Sequence, residues 1–189
     1  VGIITTLNCC DTPVVIHFPD PNMEAYVRAK IDKPEGDIYK TDVNEITSIY
    51  ANNRDISDIS GIEYFVSLTS LNLNRNQISD ISVLENLTSL DFLSLKYNQI
   101  ADISSLVNLT SLTYLALNSN QIVDISPIAN LTSLVYLYLD SNQISDISAL
   151  ANLTSLYQLI LNSNQISDIS ALANLTSLVY LYLDSNQIS

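Results

Sequence analysis

The chain has 189 residues, 47% of them hydrophobic, and a formal net charge of −13 at pH 7. Every lysine and arginine lies at or before Lys96, so the second half carries aspartates and no basic residue. Nucleic acid and anionic lipid would repel such a chain, so we predict no nucleic-acid partner and favour a basic or neutral protein surface. No apolar run reaches the ~18 residues that span a bilayer, so no membrane insertion is predicted.

Residues 1–12 are predicted to be a tail, either loosely packed or the remnant of a signal peptide. An apolar stretch there precedes the adjacent Cys9 and Cys10, which also suggests a lipid-modified cysteine. Leu7 and Asn8 suit a lipidation signal poorly, so we favour a tail with two spectator thiols. A disulfide between adjacent cysteines is strained and the chain has no other cysteine, so disulfides do not stabilise the predicted fold.

Residues 13–45 are predicted to form a small cap. The β-rich run from Pro13 to Phe18 predicts an edge strand. Asp20 before Pro21 is a helix-start signal, because aspartate caps the first turn and proline lacks an N–H that this turn leaves unpaired. A helix from Pro21 to Asp32 is predicted by apolar residues at helical spacing, namely Met23, Tyr26, Val27 and Ile31.

The end of the cap is predicted from turn residues. Pro34 and Gly36 are expected to end the helix. Asp42 and Glu45 have the three-residue spacing of a capping box, which predicts a second short helical turn before Ile46. This cap would cover apolar side chains of the first repeat that would otherwise face water.

From Ile46 onward the sequence repeats with a period of 22 residues. The stretch LTSLVYLYLDSNQIS occurs at Leu131 to Ser145 and again at Leu175 to Ser189. Leucines recur two residues apart in each unit, and an asparagine column follows them at Asn76, Asn98, Asn120, Asn142, Asn164 and Asn186. The pattern LxxLxLxxNxI is that of a leucine-rich repeat, whose units bury apolar faces only against their neighbours.

The predicted fold is therefore an α/β-type leucine-rich-repeat solenoid. A curved parallel β-sheet forms its concave side, 3-10 or irregular segments form its convex side, and the small helical cap covers its N-terminal end. Residues 46–189 are expected to hold seven repeats, the first degenerate, with Arg54 at the asparagine position. The last repeat is incomplete and has no C-terminal cap, which suggests end-to-end self-association there.

Two polar columns are interpreted as structural. Each ladder asparagine is expected to bond backbone groups of its own turn and of the next. The aspartate column is expected to cap the convex turns, at Asp80, Asp102, Asp124, Asp146 and Asp168. The alternative is a calcium ladder. It needs six or more oxygens for each ion, whereas each unit offers one carboxylate beside serines, so no metal site is predicted.

Function is expected on the concave face, because its columns vary between repeats. The candidate ligand-binding residues are Phe92, Lys96, Tyr97, Tyr114, Tyr136, Tyr138, Asp140, Tyr180, Tyr182 and Asp184. Exposed tyrosines supply large contact areas at low entropic cost, which favours a protein ligand. A glycan stacking on the rings is the lesser possibility. The alternative without a ligand is that aromatic residues favour strands and pack on cross-strand neighbours.

No enzymatic function is predicted. The single histidine, His17, lies in the cap, and nothing in the sequence suggests a nucleophile paired with it. Three glycines form no phosphate-binding loop, and aspartates 22 residues apart line one side of a rod instead of pairing in a pocket. We therefore predict no catalytic residues and no cofactor.

The unit LTSLxxLxLxxNQISDISxLxN resembles that of the internalins, bacterial proteins that are secreted or anchored at the cell surface. The resemblance includes FPDPNMEAYVRAKI and DVNEITSIYANN, which are similar to the helical cap of internalin-like proteins, so it covers Val14 to the end. It implies a protein-binding module of a secreted or cell-surface bacterial protein, acting in adhesion or host recognition. It leaves the ligand open, since such proteins share a scaffold and differ in what they bind.

A second interpretation of the repeats is a structural or engineered scaffold without a dedicated ligand. The last units are nearly identical, as recent duplication or consensus design would leave them. The concave residues of the earlier repeats vary more, which favours a binding function over this alternative.

Overall fold

The structure is a computed structural model that describes residues 13–188, so the predicted tail with Cys9 and Cys10 lies outside the described residues. The cap comprises β1 (Val15–Ile16), α1 (Pro21–Lys30), β2 (Ile38–Tyr39) and α2 (Lys40–Val43). β1 pairs with β2 in an antiparallel ribbon. Between residues 13 and 188, no helix has the length and apolar character needed to cross a membrane.

The repeats form one parallel sheet of seven strands in sequence order. The strands are β3 (Ser48–Tyr50), β4 (Ser70–Asn72), β5 (Phe92–Ser94), β6 (Tyr114–Ala116), β7 (Tyr136–Tyr138), β8 (Gln158–Ile160) and β9 (Tyr180–Tyr182). Each strand residue lies opposite the residue one repeat later, as Leu115 does opposite Leu137. On the other side, 3-10 turns return the chain, at Ile62–Tyr64, Ser82–Leu84, Ser104–Leu106, Ser126–Ile128, Ser148–Leu150 and Ser170–Leu172. The predicted leucine-rich-repeat solenoid is confirmed.

Stacked apolar columns fill the interior between the sheet and the convex turns. Leu137, Leu139 and Ile144 of one repeat have no exposed surface, because the same positions of both neighbouring repeats cover them. The last described repeat has a neighbour on one side only. Its Leu181 is 41% exposed, whereas the equivalent Leu159 is 0% exposed. Burial in this fold therefore depends on the adjacent repeat.

The ladder asparagines connect neighbouring repeats through backbone hydrogen bonds. The side-chain oxygen of Asn142 accepts the N–H of Ile122 at 3.0 Å. Its amide nitrogen donates to the carbonyls of Leu117 and Leu139 at 3.1 and 3.0 Å. The expectation that each amide serves the next turn is wrong, because Ile122 and Leu117 lie before Asn142. Each amide reaches back to the preceding repeat, and Asn76 thereby serves the degenerate first one.

The convex aspartates each accept a backbone N–H at the start of a 3-10 turn. Asp146 accepts the N–H of Ser148 at 2.8 Å, and Asp80, Asp102, Asp124 and Asp168 do the same with the serine two residues later. This bond is the first cause of the lowered pKa of the carboxyl groups of Asp102, Asp146 and Asp168. The aspartate column is therefore occupied with backbone capping.

Asp20 attaches the cap to the first repeat. One carboxylate oxygen accepts the N–H groups of Asn22 and Met23 at 2.9 and 3.1 Å, which confirms the predicted helix cap. The other oxygen accepts the Ser57 N–H at 2.7 Å and hydroxyl at 3.1 Å, and the Asp58 N–H at 3.3 Å. Burial raises the pKa of Asp20, but these hydrogen bonds outweigh it, so the pKa is lowered overall.

Two details of the predicted cap are wrong. The helix ends at Lys30, before Pro34 and Gly36, because Asp32 adopts φ +54° and the N–H of Lys33 bonds back to the carbonyl of Arg28. This is the bond of a Schellman-type helix end, with an aspartate in the left-handed position that glycine usually takes.

The predicted capping box of Asp42 and Glu45 does not form. Asp42 is the third residue of α2, not its cap. Its carboxylate accepts the Tyr39 N–H at 2.8 Å and pairs with Lys33 at 2.7 Å. Asp42 thus supplies the third-residue carboxylate of a capping box whose N-cap is Tyr39, so the second helix begins three residues earlier than the Asp42–Glu45 spacing indicates.

Candidate functional site

The concave face is built from alternate residues of the strands. In β7 the side chain of Leu137 is buried, while those of Tyr136 and Tyr138 lie on the opposite side of the sheet. A third column follows the strands and includes Lys96 and Asp140. Parallel pairing continues into it, since the N–H of Ser119 donates to the carbonyl of Asp140 at 2.9 Å. The three columns therefore form one continuous face.

Six aromatic side chains are in contact along the C-terminal part of this face. We call them the aromatic surface: Phe92, Tyr114, Tyr136, Tyr138, Tyr157 and Tyr180. The rings of Phe92 and Tyr114 stack with centroids 4.4 Å apart. Tyr114 lies 6.1 Å from Tyr136 and 5.3 Å from Tyr138. Four of the six predicted tyrosines thus join Phe92 in one surface that crosses five repeats.

Tyr157 is a member of the aromatic surface that the sequence analysis missed. Its ring makes edge contacts with Tyr136 at 6.1 Å and Tyr180 at 5.4 Å. Strand β8 carries Gln158 in the column where its neighbours carry tyrosine. In this repeat the tyrosine is Tyr157, one residue before Gln158, and its long side chain connects the rings of Tyr136 and Tyr180. An aromatic residue directly beside a non-aromatic column member is the signal that could have identified it.

The tyrosine hydroxyl groups at the centre of the surface are less acidic than usual. Burial is the main cause of the raised pKa of Tyr114 and of Tyr138. The pKa of Tyr157 is raised chiefly by its hydrogen bond to Tyr180. The rings are therefore neutral at physiological pH and present polar hydroxyl groups on an otherwise apolar wall.

Lys96 and Asp140 border the aromatic surface. The Lys96 ammonium lies 4.9 Å from the centroid of the Tyr138 ring, a cation–π contact. Asp140 is half-buried. Burial raises the pKa of its carboxyl group, while its own N–H and the Lys96 charge oppose that shift less strongly. Charged groups of both signs thus lie beside the rings.

Besides Lys96 and Asp140, three predicted site residues lie outside the aromatic surface. Tyr97 is in the turn after the strand, at φ +56°, and the guanidinium of Arg75 covers its ring at 4.5 Å. Tyr182 is exposed on β9, and within residues 13–188 it contacts no other ring. Asp184 is exposed, and its N–H donates to the Asn162 side chain at 2.8 Å.

We predict that Asp140→Asn stabilises the folded protein at pH 7. The raised pKa means that the folded state penalises the charged carboxylate, so an uncharged amide removes that penalty. Asparagine also fits this column, which contains Asn74, Asn118 and Asn162. Thermal melting at pH 7 should give a higher Tm, and the gain should disappear as the pH falls through the raised pKa toward the usual 3.8. A lower Tm at pH 7 would contradict this explanation.

Within residues 13–188, no group of three or more histidine, cysteine, aspartate or glutamate side chains could hold a metal ion. The exposed His17 lies beside β1 in the cap, away from the aromatic surface. What the concave face offers is a wide aromatic wall with hydroxyl, amide and charged groups at its border. Such a face is suited to binding a macromolecule.

Comparison with known proteins identifies the family. The family described as leucine rich repeats (2 copies) matches residues 44–86, 88–130, 110–152, 132–173 and 154–189. A sequence comparison with curated proteins finds no match. The crystal structure of internalin InlC2 from Listeria monocytogenes is 34% identical, with a TM-score of 0.73, and the alignment covers 95% of this chain and 92% of that one.

Two further solved structures are similar. Internalin InlF from Listeria monocytogenes is 39% identical with a TM-score of 0.77, and 94% of this chain aligns with 60% of that one. A leucine-rich-repeat protein of Leptospira interrogans is 30% identical with a TM-score of 0.64, over 68% of this chain and 34% of that one. Proteins of this kind are protein-interaction modules. The chain belongs to the leucine-rich-repeat family and is an internalin-like member of it.

Proposed function

We propose that the chain binds a protein ligand through the aromatic surface. One observation carries this proposal, namely the six contacting rings that cross five repeats, two of them exposed and four half-buried. Tyr136 is 37% exposed and Tyr180 is 45% exposed, although each contacts at least one other ring. Tyrosine in this setting supplies contact area and a hydroxyl group with few rotatable bonds to immobilise.

The alternative, that the rings serve only to stabilise the sheet by cross-strand packing, explains them less well. Cross-strand packing requires only that neighbouring rings touch, and the N-terminal strands of the same sheet use Ser48, Ser70 and Asn72 at equivalent positions. Strand β4 therefore pairs on both sides without an aromatic residue at either position, although Tyr50 occupies one of these positions in β3. Exposed aromatic area costs solubility unless a partner covers it, which favours a binding role.

The charge of the chain indicates the character of the partner. The formal net charge is −13, and the six aspartates after Lys96 meet no basic residue in the remaining sequence. A basic or neutral protein surface would approach such a face without repulsion. A glycan would use the same rings by stacking, but it would gain little from the net charge.

Membership of the family supports a proposal for the cellular setting. The chain spans 60% of the length of the InlF structure, so what the whole protein does is part of this proposal. Internalin-like proteins are secreted or surface proteins, and we place this chain in the same setting on a bacterium. Adhesion or host recognition is the proposed purpose of ligand binding there.

The test is a screen of the chain against an array of secreted and extracellular proteins, repeated with a variant. The variant changes Tyr114, Tyr136, Tyr157 and Tyr180 to Ser. Tyrosines at interface centres each contribute on the order of 1–2 kcal/mol, so we expect the affinity for any ligand to fall more than about 100-fold.

Tyr50→Ser is the matched control. Tyr50 is exposed on the same sheet but lies outside the aromatic surface, in the polar N-terminal part. Its replacement should leave the affinity unchanged, and circular dichroism should show both variants folded. A ligand that binds the folded four-tyrosine variant as tightly as the original chain would contradict the proposal. The absence of any ligand would favour the scaffold interpretation, and binding only to a glycan array would replace protein by carbohydrate.

A further inference from the structure

One buried amide oxygen on the concave face has no hydrogen-bond partner. It is the side-chain oxygen of Asn118, a residue that is 8% exposed. Other asparagines of this column accept the N–H of the residue one repeat later, at 2.7 to 2.9 Å, namely Asn52, Asn74 and Asn162. At Asn118 that donor would be the N–H of Asp140, which interacts with its own carboxylate instead. An unsatisfied buried acceptor of this kind destabilises the protein, because it has lost its hydrogen bonds to water without replacement.

The neighbouring carboxylate also lacks a direct counter-ion. Among residues 13–188, the ion pairs are Arg28 with Glu24 and Lys33 with Asp42, and both lie in the cap. The half-buried Asp140 forms no such pair, and burial raises the pKa of its carboxyl group. The Asn118 oxygen is thus buried without a donor, and the half-buried Asp140 carboxylate has only its own N–H and the charge of Lys96 beyond ion-pair distance.

The contact of Lys96 with Tyr138 indicates that the lysine side chain lies over Asn118. Its ammonium lies 4.9 Å from the Tyr138 ring, two repeats further along the sheet. Strands are spaced by ~4.8 Å, so the lysine side chain has to pass over the intervening repeat, where Asn118 occupies the same column. This accounts for the burial of Asn118, whereas Asn74 and Asn162 are only half-buried.

We propose that Asn118, Tyr138 and Asp140 form a subsite for an arginine side chain of the protein ligand, and that Lys96 occupies this subsite until the ligand displaces it. A guanidinium group offers five N–H donors in a plane and stacks on aromatic rings. It would donate to the Asn118 oxygen and the Asp140 carboxylate while lying on the Tyr138 ring. This subsite rests on the proposed function, and it names the chemistry by which the ligand is recognised.

Lys96 fits the role of a temporary occupant. Its ammonium has three donors on a flexible stem, and it stays on the ring without reaching ion-pair distance of Asp140. Lysine is therefore held less well there than a guanidinium would be. It also covers the Tyr138 ring and the Asn118 amide in the absence of ligand, so less of the apolar ring surface is exposed to water.

The experiment uses N-acetyl-arginine amide as the probe and the neutral N-acetyl-citrulline amide for comparison. Nuclear magnetic resonance would follow the Asn118 side-chain amide and the Tyr138 ring of the full chain during titration. In Lys96→Asn the subsite is open, and asparagine is the usual residue of this column. We expect that variant to bind the arginine probe about tenfold more tightly than the original chain, with the largest shifts at these two residues.

Two variants control this result. Lys40→Asn removes the same charge from an exposed cap position, so it should leave probe affinity unchanged. Adding Asp140→Asn to Lys96→Asn should reduce the affinity for the arginine probe at least tenfold, because a charge-assisted bond is lost. Equal binding of the citrulline and arginine probes, or arginine shifts away from Asn118 and Tyr138, would overturn the subsite.

The outcome separates this subsite from the proposed function. If a protein ligand requires the aromatic surface but Lys96→Asn leaves the arginine shifts absent, the subsite is wrong and the proposed function stands. If the screen finds no protein ligand while the arginine probe binds as described, the subsite stands and the proposed function is wrong.

Discussion

Replacing Asp20 by Ala should lower the free energy of unfolding by about 2–4 kcal/mol, because its buried carboxylate serves both the cap helix and the first repeat. Asp20 is 5% exposed and accepts bonds from four backbone N–H groups and one hydroxyl. Without the carboxylate, the N–H groups at the start of α1 and those of Ser57 and Asp58 lose their acceptor. Urea unfolding at pH 7, followed by circular dichroism, would measure the loss.

The sign of the pH dependence tests the same mechanism. The pKa of Asp20 is lowered from 3.8 in the folded state, so its stabilisation is complete above that value and is lost as the pH falls through the folded pKa. The stability difference between the original chain and Asp20→Asn should therefore be constant near neutral pH and shrink below about pH 4. Glu45→Ala, at an exposed carboxylate between cap and repeats, should change stability little. Equal losses in the Asp20 and Glu45 variants would contradict a specific role for Asp20.

Replacing Asn142 by Ala should cost about 1–3 kcal/mol, because it leaves buried backbone groups of two repeats without partners. The groups are the Ile122 N–H and the carbonyls of Leu117 and Leu139. All three belong to residues with no exposed surface, so water cannot easily replace the amide. Chemical denaturation of the chain would give the difference.

Asn130→Ala is the matched control for the ladder. Asn130 is exposed in the same part of the solenoid, so alanine there should change the free energy of unfolding by no more than a few tenths of a kcal/mol. Hydrogen exchange would show where the ladder variant loosens. Faster exchange should appear in the repeats around strands β6 and β7, since the lost bonds connect them. If the ladder variant were as stable as the control, the backbone groups at the bend would not need the asparagine side chain as a hydrogen-bond partner.

The repeat columns were predictable because each one follows from a local rule applied several times. Leucines two residues apart enter the core, and the residues between them face the opposite side of a strand. The period then places equivalent residues on adjacent strands, as the pairing of Leu115 with Leu137 shows. The cap does not repeat, so its details depended on single contacts. Asp42 was assigned on spacing alone as the N-cap of a box with Glu45, whereas its bond to the Tyr39 N–H makes it the third residue of a box that starts at Tyr39.

The candidate site divides in the same way. The column that contains Tyr114, Tyr136 and Tyr180 could be predicted from the repeat period. Successive strand residues point to opposite faces, so a residue next to a core leucine must lie on the face away from the core. Tyr157 escaped that rule, since its long side chain reaches sideways from the next column to touch two rings. No spacing rule gives the contact of Lys96 with Tyr138, because it depends on how far a flexible side chain extends across two repeats.

The sequence by itself determined the solenoid, its register and the face that carries the tyrosines, since a fixed period leaves one way to stack the apolar columns. Only the tertiary structure decided which rings touch, that Asn118 holds an unpaired oxygen and that Asp20 joins the cap to the first repeat. Those features depend on side-chain rotamers and on burial by neighbouring repeats. Both are set when the chain packs, and neither is encoded in the spacing of residue types.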